Sequence, residues 1–155
     1  MVDTLSPAER SRRMARIRNK DTSTELVVRR MIYGLGFRYR LHRKDLPGCP
    51  DLAFQRLKSV IFVHGCFWHR HSDPNCRLAR LPKSRLDFWE RKLSANRARD
   101  LRNQELLAAG GWRVLIIWEC ELSKRDQLER KLKEFLGRTC FQSNCLPGQA
   151  DSGLA

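Results

Sequence analysis

No segment of this 155-residue sequence approaches the roughly 18 uninterrupted apolar residues that a membrane-spanning helix requires. The longest apolar run, residues 114–118, is only long enough for a strand. The first residues contain no apolar core of a secretory signal peptide. We therefore expect a cytoplasmic protein without membrane association, in which the six cysteines are free thiols or metal ligands rather than a disulfide framework.

Acidic residues are scarce, since 17 Asp and Glu stand against 31 Lys and Arg and leave a formal net charge of +14. Such an excess of positive charge favours a polyanionic partner, and nucleic acid is the leading candidate. The basic residues are spread along the chain, so we expect a folded surface that follows DNA phosphates. Charge supplies affinity without sequence information and does not separate an enzyme from an architectural protein.

The order of predicted elements is two helices, three strands, a long helix, a strand and a last helix. This order predicts an α/β fold in which a small mixed β-sheet is flanked by helices. The most apolar strand, residues 112–118, is expected in the sheet interior. We divide the chain into an N-terminal helical arm (1–20), a main domain (21–137) and a loose C-terminal tail (138–155).

The N-terminal helix begins with a clear signal but carries a thin apolar face. Ser6 is the predicted N-cap, Pro7 suits the first helical position, and Glu9 closes a capping box. Its only large apolar residues are Met14 and Ile17. Two apolar side chains are too few to anchor a helix in a core, so the helix either packs weakly or uses them elsewhere.

Soft metal ligands gather in the irregular segment after the third strand and at the end of the last strand. They are Cys66, His71, Cys76 and Cys120. A Cys₃His set of this kind is typical of a structural Zn²⁺ site. His69 and Asp73 are competing ligands in the same segment. The alternative interpretation is unpaired thiols beside a surface histidine.

A second group of functional residues lies where two adjacent strands meet. Asp51 opens one strand and Val63-His64 ends the next, so a hairpin places them at one edge of the sheet. A carboxylate and the Val63 carbonyl are oxygen ligands that suit Mg²⁺. His64 and His69 are available for proton transfer, and Glu25 is available to orient a histidine. The alternative for Asp51 is a turn residue that accepts local backbone hydrogen bonds.

Two aromatic pairs stand near these residues: Phe67-Trp68 lies inside the metal-binding segment, between Cys66 and His69, and Phe88-Trp89 lies on the following predicted helix. In a basic protein such side chains stack on bases or insert between them. Burial in a small core beneath the metal-binding segment is the alternative.

Four strings of residues resemble the very short patch repair endonucleases of bacteria, over roughly residues 8–137. The strings are Leu46-Pro-Gly-x-Pro-Asp51, Val60-Ile-Phe-x-His-Gly-Cys-Phe-Trp-His69, Phe88-Trp89 and Gly111-Trp-Arg-Val-Leu-Ile-x-Trp-Glu-Cys120. The resemblance implies a restriction-endonuclease-like three-layer sandwich with a structural zinc site. It also implies a Mg²⁺-dependent enzyme that nicks one DNA strand 5′ to the thymine of a T·G mismatch, which arises when 5-methylcytosine deaminates.

The resemblance assigns roles residue by residue. For Mg²⁺ it implies Asp51 and the Val63 carbonyl, and for catalysis Asp51, His64, His69 and Glu25. For Zn²⁺ it implies Cys66, His71, Cys76 and Cys120. As intercalating side chains it implies Phe67, Trp68 and Trp89 and, from an N-terminal arm that contacts DNA, Met14 and Ile17.

We expect a monomer that acts on double-stranded DNA at the bacterial nucleoid, with a functional link to a cytosine-5 DNA methyltransferase and to mismatch-repair proteins. The competing hypothesis is a non-catalytic, zinc-stabilised DNA-binding protein. It explains the charge, the cysteines and the aromatic pairs, but not an acid beside two histidines. Catalytic zinc is disfavoured because four protein ligands leave no open coordination position.

Overall fold

The computed structural model describes residues 20–137 together with Ser6, Glu9 and Arg12. In this part of the chain, three α-helices accompany one mixed sheet of four strands. The helices are α1 (Ser23–Gly34), α2 (Leu86–Ala109) and α3 (Arg125–Gly137). The strands are β1 (Arg40–Leu41), β2 (Leu52–Phe54), β3 (Ser59–His64) and β4 (Arg113–Trp118). The predicted α/β class and the order of these elements are confirmed.

The predicted capping box of the N-terminal helix is present. The Ser6 N–H donates to Glu9 Oε2 at 2.9 Å, and the Glu9 N–H donates to Ser6 Oγ at 3.3 Å. Met14 and Ile17 lie outside the described residues, as does the tail 138–155. The roles predicted for them stay predictions.

The sheet has the order β1-β2-β3-β4. β2 and β3 pair antiparallel, with Leu52 opposite Ile61, whereas β3 and β4 pair parallel, with His64 opposite Trp118. The predicted interior position of the last strand was wrong, since β4 forms an edge of the sheet in the described part of the chain. Its sequence is apolar because Ile117 packs in one core and Val114 against another, on opposite faces of the strand.

The sheet carries a core on each face. The larger core is formed by Val28, Ile32, Leu52, Phe54, Ile61, Ile117, Leu128, Leu132 and Leu136. The smaller core lies under α2 and is formed by Ala53, Val60 and Leu107. Three leucines spaced four residues apart give α3 one continuous apolar face. The protein therefore has helix layers on both sides of the sheet, and the large core ties α1 and α3 to it.

Two boundaries differ from the sequence-based prediction. The alternation of residues 37–41 predicts a strand, but only Arg40 and Leu41 form one, because the Phe37 N–H donates to the Ile32 carbonyl at the end of α1. The sequence leaves open a break near Ser94 in the long helix, but α2 continues through this residue. None of the described helices combines the length and the apolar character needed to cross a membrane.

We predict that Leu132→Ala lowers the free energy of unfolding by about 2–5 kcal/mol, because truncating a buried leucine leaves a cavity. Leu132 is fully buried in the large core, whereas Leu106 on α2 is 52% exposed. Leu106→Ala, the matched control, should change stability by less than about 0.5 kcal/mol. Urea unfolding measures both, and equal losses would contradict the described packing of α3.

Candidate active site and metal centre

The Asp51 carboxylate lies at the end of β3, as the hairpin predicted. Its Oδ2 accepts a hydrogen bond from the Val63 backbone N–H at 2.8 Å. The two residues are 12 positions apart in the chain, so Asp51 is not the local turn residue of the alternative interpretation. The antiparallel register of β2 and β3 brings them together.

Burial dominates the electrostatics of this carboxylate. It raises the pKa of Asp51 to about 6, because removal from water disfavours the charged form. The Val63 N–H opposes this shift, and the negative charge of Glu25 adds to it. A divalent cation would restore the favourable interactions that burial removes, so the donor chemistry fits a metal ion that prefers oxygen ligands.

His64 and His69 form a stacked pair. Their ring centroids are 3.8 Å apart and their planes differ by 9°. His64 is buried, and its ring contacts Phe62 and the edge-on ring of Trp118. Burial, followed by the charge of His69, lowers the pKa of His64 to about 3. His64 is therefore a neutral imidazole near pH 7.

Asp100 orients His69, and sequence reasoning missed it. Its Oδ2 lies 2.5 Å from His69 Nδ1. The contact places the proton on Nδ1 and leaves Nε2 as the basic nitrogen of the ring. The one local signal in the sequence is that Asp100 is an acid inside the strongly basic stretch 97–102 of α2.

Glu25 does not orient His69, contrary to the prediction. Its Oε2 accepts from Arg29 Nη2 at 2.9 Å and from the Asp21 N–H at 3.0 Å, while Oε1 accepts from Thr22 Oγ1 at 3.1 Å. The physical reason is local, because Thr22 is the N-cap of α1 and its Oγ1 accepts a hydrogen bond from the Glu25 N–H, which holds Glu25 at the start of the helix. Glu25 instead lies close enough to Asp51 to raise its pKa.

His42, which directly follows β1, is a second residue that sequence reasoning missed. Its Nδ1 lies 4.0 Å from Asp51 Oδ1, and its Nε2 lies 2.9 Å from Arg29 Nη2. The available signal was weak: the chain has four histidines, and His42 is the one outside the segment 64–71.

The histidine pair opens into a cleft of about 130 Å³. Arg70 and Arg97 line it together with His64, His69 and Asp100. Two guanidinium groups beside two imidazoles make this cleft suitable for an anionic group such as a phosphodiester.

The four predicted soft ligands converge. The donor atoms of Cys66, His71, Cys76 and Cys120 all lie within 4.8 Å of one another. The parallel pairing of β3 with β4 explains this convergence. His64 is paired with Trp118, and Cys66 and Cys120 lie two residues beyond these partners. The competing ligands His69 and Asp73 are not members of this group.

The chemistry of this Cys-His cluster fits a soft divalent metal. Burial raises the pKa of Cys66 to about 12 and also raises the pKa of Cys120. A metal ion would stabilise the thiolates that burial disfavours. His71 is fixed by stacking on Trp118, with centroids 4.3 Å apart, and its Nδ1 is 3.5 Å from Cys120 Sγ.

The aromatic residues form a cluster at the surface rather than a closed core. Phe67 lies edge-on to Trp68 and Trp89 at centroid distances of 5.1 and 5.2 Å, and Phe88 is 40% exposed. Lys92 Nζ lies 5.7 Å from the centroids of Trp68, Phe88 and Trp89. The cluster therefore presents partly exposed rings beside a positive charge.

Comparison with known proteins gives consistent matches over most of the chain. A family model described as DNA mismatch endonuclease Vsr matches residues 2–76. The chain is 52% identical over 136 residues to the type II nicking enzyme V.XorIIP of Xanthomonas oryzae pv. oryzae, covering 88% of this chain and 98% of that protein. It is 41% identical over 128 residues to the DNA mismatch endonuclease Vsr of Escherichia coli strain K12, covering 83% and 80%. It is also 39% identical over 138 residues to the type II nicking enzyme V.NmeAIP of Neisseria meningitidis, covering 86% and 96%.

Proposed function

Since the chain belongs to the Vsr family of DNA mismatch endonucleases, we propose that it nicks one strand of a DNA duplex 5′ to the thymine of a T·G mismatch. Such mismatches arise when 5-methylcytosine deaminates, and the nick initiates very short patch repair. The observation that carries the proposal is that the Asp51 carboxylate is held by the Val63 N–H at the end of β3, one residue before His64, which stacks on His69. Relatives named as nicking enzymes support cleavage of a single strand, and the helix–sheet–helix layering supports a restriction-endonuclease-like sandwich.

We assign a Mg²⁺ site to the Asp51 carboxylate and the backbone carbonyl of Val63. The fit rests on a partly buried carboxylate that one backbone N–H already orients. An Mg²⁺ ion held by these two groups would supply positive charge to offset the negative charge that develops on the phosphate during cleavage.

The two histidines have different roles in this proposal, since His69 takes a proton and His64 holds the phosphate. Asp100 holds Nδ1 of His69, so Nε2 accepts the proton of the attacking water. His64, held neutral by burial, supports the phosphate through a hydrogen bond rather than through charge. Glu25 acts on the electrostatics of Asp51 in place of the role in orienting His69 that the sequence predicted.

The aromatic cluster supplies the recognition of the mismatch. Phe67, Trp68 and Trp89 insert beside the T·G pair, which stacks less well than a matched pair and is opened at a lower free-energy cost. In this proposal, Met14 and Ile17 of the N-terminal arm enter the DNA from the minor groove. The net charge of +14 holds the phosphates without contributing sequence information.

The protein acts as a monomer at the bacterial nucleoid in this account, with a functional link to a cytosine-5 DNA methyltransferase and to mismatch-repair proteins. The methyltransferase marks the cytosines whose deamination creates the mismatch. A non-catalytic DNA-binding protein would leave the acid and the histidine pair without a purpose.

The full chain, given Mg²⁺ and an end-labelled T·G duplex, should nick the thymine-containing strand, and EDTA should abolish the cut. Asp51→Asn should lower the rate by about 10²-fold or more, because the metal-binding charge is lost while the side-chain shape is kept. Gel electrophoresis measures the nick, and a mobility-shift assay should show that this variant still binds the duplex.

Asp45→Asn is the matched control, because Asp45 is an acid of the same loop whose side chain is 57% exposed. It should nick at the wild-type rate. A C·G duplex of the same sequence is the substrate control. Cleavage of both duplexes at one rate, or unimpaired nicking by Asp51→Asn, would contradict the proposed function.

We assign a structural Zn²⁺ to the Cys-His cluster, because its donor set is Cys₃His and two of its thiols, those of Cys66 and Cys76, are buried. Elemental analysis of the purified protein should find zinc in equimolar amount. Cys66→Ser should lose the zinc and lower the melting temperature by roughly 5 °C or more, since the metal links two strand ends.

Cys49→Ser is the control, because Cys49 is a free cysteine outside the cluster. Its zinc content and melting temperature should match the wild type. Equal zinc in the Cys66→Ser protein would refute the assigned ligand set.

A further inference from the structure

His42 faces the Asp51 carboxylate, and none of the steps above uses it. Asp51 Oδ2 is bound to the Val63 N–H, and the other oxygen, Oδ1, lies 4.0 Å from His42 Nδ1. The His42 side chain is only 17% exposed, so little water competes for its nitrogen atoms. The ring is therefore placed beside the one Asp51 oxygen for which no protein hydrogen bond is found among the described residues.

Arg29 fixes which nitrogen of His42 carries the proton. A guanidinium group has donors and no acceptor, so Arg29 Nη2 donates to His42 Nε2 across 2.9 Å. Nε2 is then unprotonated, and the ring proton sits on Nδ1, the nitrogen nearer to Asp51. Asp21 Oδ1 is 3.7 Å from Nε2, too far for the hydrogen bond that would require a proton there.

Arg29 is itself held in place, so the orientation of the ring is fixed. Its Nη1 lies 2.6 Å from Asp21 Oδ1 and its Nη2 lies 2.9 Å from Glu25 Oε2, and the side chain is buried. Charge-assisted hydrogen bonds to two carboxylates leave the guanidinium little freedom. The first turn of α1, which contains Glu25, is thus connected to Asp51 through Arg29 and His42.

The backbone of His42 is also arranged for this contact. Its φ of 46° lies in the left-handed region, which is unfavourable for a residue with a side chain. Its N–H donates to the Asp51 carbonyl at 3.4 Å, which ties the strained residue to the acid. Backbone strain of this kind concentrates at functional sites.

We propose that His42 is a positioning residue of the nuclease, whose Nδ1–H orients the Asp51 carboxylate for metal binding. The inference rests on the proposed function, because it requires Asp51 to act in cleavage. In the free protein, His42 Nδ1 and Asp51 Oδ1 are 4.0 Å apart, which is too far for a hydrogen bond. Catalytic hydrogen bonds often begin long and tighten when the substrate binds.

The test compares His42→Asn with His42→Leu. Both side chains branch at Cγ, but only asparagine has an N–H group at the place of Nδ1. Single-turnover nicking of the T·G duplex is measured over a range of Mg²⁺ concentrations. His42→Leu should lower the rate by about tenfold to a hundredfold, the range for losing one hydrogen bond to a charged group, and should raise the Mg²⁺ concentration for half-maximal rate. His42→Asn should keep most of the wild-type nicking rate and a Mg²⁺ concentration for half-maximal rate close to that of the wild type.

Two controls separate positioning from folding. Binding of the duplex in EDTA should be equal for the wild type and both variants, since Asp51 then holds no metal. Lys58→Leu places the same leucine at another left-handed residue, with φ of 45°, at the opposite end of β3. This variant should keep the wild-type Mg²⁺ dependence of the nicking rate. Placing leucine in a left-handed backbone conformation there does not change the surroundings of Asp51.

Equal losses in His42→Asn and His42→Leu, or a loss explained by weaker duplex binding in EDTA, would overturn the role of His42. In either case the wild type still nicks, so the proposed function survives. A wild-type protein that does not nick the T·G duplex would remove the proposed function, and this inference with it.

Discussion

The pairing of β3 with a strand on each side is the constraint on which both sites depend. Antiparallel β2 carries Asp51 to the Val63 amide, and parallel β4 carries Cys120 to Cys66. A slip of one residue in either pairing would turn the side chains of the slipped strand to the other face of the sheet and separate the groups. The acid, the histidines and the Cys-His cluster are therefore neighbours because of sheet register.

Burial gives these groups their chemistry. The protein carries a net charge of +14, yet the site itself gathers carboxylates, each matched to a partner. Asp100 contacts His69, and Glu25 contacts Arg29. Asp51 and His64 are each pushed by burial toward their neutral forms. In the proposed function, a cation and a DNA phosphate complete this arrangement.

Local patterns predicted local features well. Residue spacing predicted the order of elements and the capping box at Ser6. The ends of the predicted strands placed Asp51 against Val63 and brought the four Cys and His ligands together. The failures concern contacts distant in the chain. An apolar strand is not necessarily central when helices cover both of its faces, as β4 shows. Asp100 and His42 carry only weak local signals, because α2 and the end of β1 meet the site only in three dimensions.

Anomalous diffraction locates the catalytic metal, and so tests the central claim most directly. Crystals of the full chain would be grown with Mn²⁺ and a T·G duplex that carries a non-cleavable linkage. The account predicts a manganese peak bound by the Asp51 carboxylate and the Val63 carbonyl. Two other groups of potential ligands lie nearby, one formed by His64, His69 and Asp100 and the other by Asp21, Glu25 and His42. A peak in either of these, with Asp51 unbound, would contradict the account.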